Sequence, residues 1–371
     1  MSPGRATGAG CGRTVIRDDT TVRTTSFVVP TGIDDPKRPS GGNIYDRRLS
    51  RGLVSLGWKV IERAVPGSWP DADDESKAVL AAEISAAADG SVVLLDGLIA
   101  SASPEVLVPA AARLRLVVLV HMLLGVDHRS SAREAAVLGS AAAIVVTSHW
   151  TRDRLLQQYS PAPKKVVVAE PGVDPAAVAS GTATGGNLLC VAVVAPHKGQ
   201  DIVVSALSRL ADLEWSCTFV GALDRDPEFV DRIQEAARTC GIAERLRFMG
   251  PLTGPDLETA YADADVLLLA SQAETFGMVV AEALARGIPV LGSGVGGVPT
   301  TLGRDADGRP PGVLVPAGDA AALAAALRCW LTDPDRRRSL RAAGRERRTQ
   351  LTGWSVTSSR VAGVLEAVMA R

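Results

Sequence analysis

Short, continuous apolar runs recur along the whole chain and are separated by longer amphipathic stretches. In the first half these runs are Ser26–Pro30, Ser91–Leu95, Leu116–Val120, Ala143–Thr147 and Lys165–Val168, with helix-like segments such as Tyr45–Leu56 and Ser76–Ala87 between them. In the second half they are Asn187–Val194, Thr218–Val220, Leu246–Met249, Val266–Leu269, Pro289–Leu291 and Gly312–Val315. Continuous rather than alternating apolar strands are typical of parallel sheets that helices cover on both faces. The pattern therefore predicts an α/β protein with two doubly wound domains.

The chain length agrees with two domains, because 371 residues is more than one domain of about 150 residues accounts for. A stretch rich in Gly, Pro, Ala, Ser and Thr, residues 171–186, has the composition of an interdomain linker. We accordingly predict a flexible leader over residues 1–25, an N-terminal domain over 26–170 and a C-terminal domain over 187–350. Residues 351–371 are expected to form a helix that packs back on the N-terminal domain.

Composition excludes several classes of protein. The formal net charge is −1 and only 4% of the residues are aromatic, so neither a basic field nor a base-stacking surface indicates a nucleic-acid partner. No stretch approaches the ~20 apolar residues of a membrane span, and the N-terminus lacks the apolar core of a signal peptide. The five cysteines are scattered, with no CxxC pair, and are typical of reduced thiols. The sequence predicts a cytoplasmic protein without an integral membrane segment.

The segment with the most candidate functional residues is Ser271–Leu302, which directly follows an apolar strand. Glu274 and Glu282 flank Phe276-Gly277, and a helix is expected over Met278–Arg286. The free N–H groups at the start of this helix would suit a diphosphate, whereas the carboxylates would accept hydrogen bonds from sugar hydroxyls. An ordinary strand–loop–helix with solvated acids is the alternative.

Three further features lie at expected strand-to-helix connections. Lys198, in Pro-His-Lys-Gly, is the last lysine of the chain and could reach a phosphate from its turn. Gly41-Gly42 forms a predicted loop that could approach a ligand closely, and His121 ends a strand where it would open into a cleft. A surface lysine, a plain loop and a structural histidine are the respective alternatives. No spacing of these residues matches a known metal site.

Together these segments resemble the retaining glycosyltransferases of family 4, the glycosyl transferases group 1. Glu274-Thr-Phe-Gly with Glu282-Ala-Leu is similar to the acidic pair of that family, and Gly292–Pro299 is similar to the glycine loop that follows it. Arg247–Gly250 resembles the nucleotide-side strand, and Pro196–Asp201 resembles the phosphate-binding lysine turn. The resemblance implies a GT-B architecture, in which two Rossmann-like domains face a central cleft.

The resemblance also implies a role for each of these residues. Lys198 and the backbone N–H groups of Phe276, Gly277, Met278 and Val279 would bind the diphosphate of a nucleotide sugar. Glu274 would hold donor-sugar hydroxyls, Glu282 would hold the ribose, and Gly250 would lie on the donor side. Gly41 and Gly42 would lie near the diphosphate and the acceptor, with His121 beside the transferring sugar. His121, Lys198 and Glu274 are the expected catalytic residues.

The function implied is sugar transfer from a nucleotide-diphosphate sugar to a hydroxyl of a small-molecule acceptor, with retention of anomeric configuration. No cofactor or metal ion is implied, because the helix and cations would neutralise the leaving diphosphate. The chain departs from the family where Val193 replaces the usual arginine and Thr300 replaces a frequent glutamate. Two other readings therefore stay open: a catalytically degenerate homologue that binds a partner or a sugar nucleotide, and a sugar-nucleotide epimerase or hydrolase.

Overall fold

The structure, a computed structural model, describes residues 23–125 and 128–371, and its strands there form two separate six-stranded sheets. The strands of the first sheet are β1 (Thr24–Pro30), β2 (Lys59–Val65), β3 (Val92–Asp96), β4 (Arg115–Val120), β5 (Ala143–Val146) and β6 (Val166–Val168). Those of the second are β7 (Asn187–Val191), β8 (Ser216–Val220), β9 (Leu246–Phe248), β10 (Val266–Leu269), β11 (Val290–Ser293) and β12 (Gly312–Val315).

Helices connect these strands and cover both faces of each sheet. In the N-terminal domain they are α1 (Gly41–Ser55), α2 (Asp74–Ser85), α3 (Gly97–Ser101), α4 (Pro104–Ala110), α5 (His128–Ser140) and α6 (His149–Tyr159). After these come α7 (Gln200–Ser208), α8 (Pro227–Thr239), α9 (Gly254–Ala262), α10 (Met278–Ala285), α11 (Val298–Leu302), α12 (Ala320–Thr332), α13 (Pro334–Arg348) and α14 (Trp354–Met369).

Both sheets are parallel throughout, and in both the strand order reverses near the centre. The first sheet has the order β2-β1-β3-β4-β5-β6 and the second β12-β11-β10-β7-β8-β9. The reversals place β1 beside β3 and β7 beside β10. In open α/β sheets, ligands bind outside the carboxyl ends of the strands at such a reversal. Two candidate binding positions therefore exist, one in each domain.

The last helix belongs to the N-terminal domain although it ends the chain. Val361 and Leu365 of α14 are fully buried in a core cluster that also contains Phe27 of β1 and Leu49 of α1. Gly52 of α1 lies so close to α14 that a Cβ there would be 1.9 Å from the hydroxyl oxygen of Ser358. The chain therefore crosses twice between the domains, at residues 171–186 and again before α14.

Two predictions about the N-terminal domain were wrong about where an element begins. The leader was expected to run to residue 25, but Thr24 and Thr25 already lie in β1, and the rest of the leader to residue 22 lies outside the described residues. Gly41-Gly42 was expected to be a loop, but both glycines are in the first turn of α1. The reason is Ser40, whose side chain accepts a hydrogen bond from Asn43 N at 3.1 Å and so starts the helix earlier.

No helix in the described part of the chain combines the length and apolar character that crossing a membrane requires.

Candidate functional site

The lysine turn follows β7, next to the point where the chain leaves β10. Gly199 has φ +68°, and a Cβ there would lie 2.2 Å from the carbonyl oxygen of Ala270. Only glycine allows the turn to come this close to the end of β10. Lys198, one residue earlier, is thereby held beside the loop that follows β10.

Lys198 and Glu274, predicted from separate motifs, are in direct contact. Lys198 Nζ lies 2.6 Å from Glu274 Oε1, which also accepts a hydrogen bond from Ser271 Oγ at 2.8 Å. Gln272 N donates to the carbonyl oxygen of His197 at 2.9 Å, so the backbones of the two loops are joined as well. The side chains of Lys198 and Glu274 are 21% and 14% exposed, which leaves both accessible to a ligand.

Helix α10 begins directly after this pair. Gly277, at its N-cap, has φ +85° and offers no side chain to the first turn. The glycine loop supports the same segment, since a Cβ at Gly296 would lie 1.8 Å from the carbonyl oxygen of Glu274. The N–H groups at the start of a helix lack intrahelical partners and carry partial positive charge. Those around Met278 and Val279 are therefore suited to an anion next to Lys198.

Glu282 lies in the second turn of α10, where it is largely enclosed. Its Oε2 accepts a hydrogen bond from the hydroxyl of Tyr261 at 2.7 Å, and the Arg286 guanidinium lies 4.3 Å from the centre of the Tyr261 ring. Burial raises the pKa of Glu282 from its ordinary value, although the Tyr261 hydroxyl and Arg286 oppose the shift. If Glu282 contacts a ribose, one oxygen of its carboxylate is already held by the Tyr261 hydroxyl.

Gly250 is the predicted donor residue that lies apart from the others. It follows β9, the edge strand of the second sheet, and its carbonyl oxygen accepts a hydrogen bond from Gly221 N at 2.8 Å. Two strands, β8 and β7, separate β9 from β10. Gly250 therefore does not join the Lys198–Glu274 pair, and its role on the donor side stays a prediction.

The two glycines at the start of α1 lie where the N-terminal domain meets helix α10 of the C-terminal domain. A Cβ at Gly41 would lie 3.2 Å from the sulfur of Met278, and a Cβ at Gly42 would lie 3.2 Å from Cδ2 of His121. Ser148 Oγ also donates to the carbonyl oxygen of Thr275 at 2.5 Å. The glycine pair therefore lies between the His121 ring and the Met278 side chain at the start of α10; the close approach to a ligand that was predicted for it stays a prediction.

His121 has two carboxylate neighbours that the sequence reasoning missed. Its Nε2 lies 2.8 Å from Asp46 Oδ1 and 3.5 Å from Asp96 Oδ2, and both aspartates are almost completely buried. Burial alone would lower the pKa of His121, but Asp46 and Asp96 raise it above the ordinary value. One signal was present in the sequence: Gly42 and Asp46 are four residues apart, so both lie on the face of α1 that meets His121.

Val193 stands where the family that the chain resembles usually has an arginine, and this position therefore offers no cation. Val193 uses its carbonyl oxygen to accept a hydrogen bond from Gln200 Nε2 at 2.9 Å. His197 is a poor replacement for the charge, because burial together with Lys198 and Arg225 lowers its pKa, although Glu274 opposes the shift. Arg225, close enough to act on His197, is thus the better candidate for a second cation.

Comparison with known protein families finds a match in the C-terminal half of the chain. Residues 183–347 match the family described as glycosyl transferases group 1. The chain carries a glycosyl transferases group 1 domain. This domain contains β7 to β12, the lysine turn, Glu274 and α10, so the resemblance of those motifs to the glycosyl transferases group 1 is confirmed for residues 183–347.

Relatives of the group 1 domain include proteins named D-inositol 3-phosphate glycosyltransferase. That of Catenulispora acidiphila is 31% identical over 259 residues, which cover 64% of this chain and 60% of that protein. That of Salinispora tropica is 32% identical over 248 residues, covering 60% of this chain and 50% of that protein. The chain thus spans only 60% and 50% of the length of these two relatives.

Solved structures show the same two-domain fold around the group 1 domain. Sucrose-phosphate synthase from Thermosynechococcus elongatus superposes with a TM-score of 0.77 at 22% identity, covering 94% of this chain and 99% of that one. Anabaena Alr3699/HepE in complex with UDP and glucose has a TM-score of 0.75 at 16% identity, covering 93% and 100%. The predicted α/β fold class is therefore confirmed as the GT-B fold.

Proposed function

We propose that this protein is a glycosyltransferase that moves a sugar from a nucleotide-diphosphate sugar to a hydroxyl of a small-molecule acceptor. The observation that carries the proposal is the contact between Lys198 and Glu274 in front of α10. A cation and a set of free N–H groups suit a diphosphate, and a carboxylate next to them suits sugar hydroxyls. A nucleotide-diphosphate sugar presents these two chemistries side by side.

We further propose that the reaction retains the anomeric configuration and needs no metal ion. The acceptor oxygen would attack the anomeric carbon on the face from which the diphosphate departs, and the acceptor proton would pass to the leaving phosphate oxygen. Negative charge then develops on the diphosphate. Lys198 and the start of α10 would stabilise that charge, which is the chief catalytic contribution expected in such a site.

The comparisons indicate which nucleotide sugars to test first as donors and which compounds to test first as acceptors. HepE was solved in complexes with UDP, with UDP and glucose, and with UDP-glucose, which makes uridine diphosphate sugars the first donors to test. The relatives named D-inositol 3-phosphate glycosyltransferase make a phosphorylated inositol the first acceptor to test. The four cysteines among the described residues are unpaired, and this supports the reducing, cytoplasmic location that we propose.

A ligand screen followed by a transfer assay tests the proposal. Melting temperatures are measured with UDP, GDP, ADP and dTDP and with their sugar conjugates; a ligand at about 100 times its Kd stabilises the protein by ~2.7 kcal/mol. The stabilising donor is then incubated with inositol phosphates and other polyols, with and without EDTA, and the product anomer is assigned by NMR. Transfer with retention in EDTA is expected. Stabilisation by no nucleotide would overturn the proposal, and an inverted product or EDTA sensitivity would overturn the mechanism.

The replacement at Val193 favours one alternative, a homologue that binds a sugar nucleotide without transferring the sugar. The same experiment separates the two, because such a protein would be stabilised by the nucleotide sugar and yet form no product with any acceptor. An epimerase or hydrolase would instead convert the nucleotide sugar in the absence of an acceptor.

A further inference from the structure

The histidine of the cleft is enclosed on several sides by groups that limit its motion. The Tyr45 ring meets the His121 ring edge-on, with centroids 5.3 Å apart, and the Tyr45 hydroxyl donates to the carbonyl oxygen of Ala169 at 2.8 Å. Gly42 closes another side, because a Cβ there would lie 3.2 Å from Cδ2 of His121, tighter than an ordinary van der Waals contact. The side chain of His121 is consequently only 13% exposed.

Each carboxylate beside His121 is itself fixed. Asp96 caps α3, with Oδ1 accepting hydrogen bonds from Leu98 N at 2.8 Å and Ile99 N at 3.2 Å, so Oδ2 is the oxygen that faces the ring. Asp46 is completely buried on α1, and its second oxygen, Oδ2, has no hydrogen-bond partner. A buried carboxylate with one unsatisfied oxygen needs positive charge nearby. His121, at 2.8 Å from Oδ1, is the group in position to supply it.

The charges around His121 favour its protonated form. Asp46 on α1 and Asp96 at the end of β3 are the groups that act electrostatically on the ring, and both are acidic. Burial and the nearby Asp46 charge also raise the pKa of Asp96 to about 7, as expected for two acids that share one cation. When both acids are ionised, a neutral imidazole would leave their buried negative charge uncompensated.

We propose that Asp46 and Asp96 are positioning residues for sugar transfer, which fix the ring of His121 and keep it as an imidazolium. This inference rests on the proposed function. With Nε2–H donated to Asp46, Nδ1–H is the donor that remains for the substrate. Because the glycine pair lies between the His121 ring and the Met278 side chain, the imidazolium adds positive charge on the side of the cleft that faces the start of α10. It thus supplies positive charge in a site where Val193 stands in place of the usual arginine.

The first test is a titration of His121 by NMR. The chain has only four histidines, so the His121 signal is assigned by its loss in His121→Gln. In Asp46→Asn the shape and the accepting oxygen are kept but the charge is lost, and the His121 titration should move roughly 1–3 pH units lower. Asp96→Asn should move it in the same direction by less, since Asp96 is farther from the ring; asparagine also keeps the cap of α3. Asp305→Asn, which alters a buried carboxylate of the other domain, should leave it unchanged.

The second test is the dependence of kcat on pH. The decline of kcat at alkaline pH should move downward in Asp46→Asn by the same amount as the titration, with little change in KM for the donor and with kcat largely recovered at acidic pH. A merely structural role would lower kcat at every pH. An unchanged titration or an unmoved alkaline limb in Asp46→Asn would overturn the inference. So would a stoichiometric divalent metal ion that wild type holds and Asp46→Asn lacks, because these three side chains would then be ligands.

The two proposals fail in different ways. The titration needs no substrate, so it tests the ion cluster even if no donor or acceptor is found. Absence of sugar transfer in wild type would overturn the proposed function, whereas an ordinary, unperturbed His121 would overturn the present inference alone.

Discussion

Lys198 and Glu274 form an ion pair of 2.6 Å across 76 positions of sequence. The contact exists because β7 and β10 are neighbours in the second sheet, so the turn after one strand meets the loop after the other. In the absence of substrate the two charges neutralise each other. A diphosphate would draw Lys198 toward itself and release the carboxylate for the hydroxyls of the sugar.

Replacement of Lys198 by alanine should weaken nucleotide binding. A charge-assisted contact contributes about 1.5–3 kcal/mol, so the Kd for the nucleoside diphosphate should rise roughly 10–100-fold, and transfer should be nearly lost. Calorimetric titration measures the first effect and product formation the second. Lys164→Ala, which removes an exposed lysine of the N-terminal domain, is the control. Full turnover in Lys198→Ala would rule out the phosphate role.

Replacement of Glu274 by glutamine should separate binding from transfer. The nucleoside diphosphate should bind as well as in wild type or better, because Lys198 loses the carboxylate that neutralises it. The rate of transfer should fall by about 10²-fold if Glu274 holds the sugar in the transition state. Parallel measurements of Kd and kcat check this. If the variant no longer bound free nucleotide, Glu274 would have to be placed at the nucleotide instead.

The glycine loop offers a pair of substitutions that differ only in local geometry. Gly296 has φ +55° and a Cβ would lie 1.8 Å from the carbonyl oxygen of Glu274, whereas a Cβ at Gly294 would make ordinary contacts from 3.5 Å outward. Gly296→Ala should lower the free energy of unfolding by about 1–3 kcal/mol and weaken nucleotide binding through a shift of Glu274. Gly294→Ala should do neither. Equal melting temperatures for the two variants would contradict the close approach.

Glu282 gives a prediction about pH and stability. Its pKa is raised by burial in the folded protein, so its contribution to stability is fully present below the ordinary value of 4.5 and is lost as pH rises through the folded pKa. Glu282→Gln keeps an acceptor for Tyr261 but cannot ionise. The free energy of unfolding of wild type should therefore fall relative to that of the variant as pH rises from 4.5 toward neutrality. Urea denaturation across that range measures the difference, and parallel curves would argue against it.

Continuous apolar strands were readily predicted, and the one strand that was missed shows why. The segment Lys59–Val65 mixes charged and apolar residues and forms β2, the edge of the first sheet. An edge strand has a neighbour on one side only and can carry exposed polar side chains. The continuous apolar pattern is typical of strands inside a parallel sheet and therefore does not detect it.

Local sequence patterns were enough to place the candidate site residues of this protein relative to the strands, turns and helices around them. Lys198 in a glycine turn after a strand, Glu274 in the loop before α10, and His121 at the end of β4 all follow from short-range preferences of strands, turns and helices. Such preferences act over a few residues, so a local pattern contains them.

Which of these residues meet depends on the tertiary structure. Asp96 has nothing in its own segment that marks it as a partner of His121, and the helical spacing of Gly42 and Asp46 identifies a shared face of α1 but not the histidine that meets it, 75 positions beyond Asp46. Their contact depends on the order of β1, β3 and β4 in the sheet and on the face of α1 that turns toward it. Strand order depends on the burial of whole helices against a whole sheet, and for that reason no short stretch of sequence contains it.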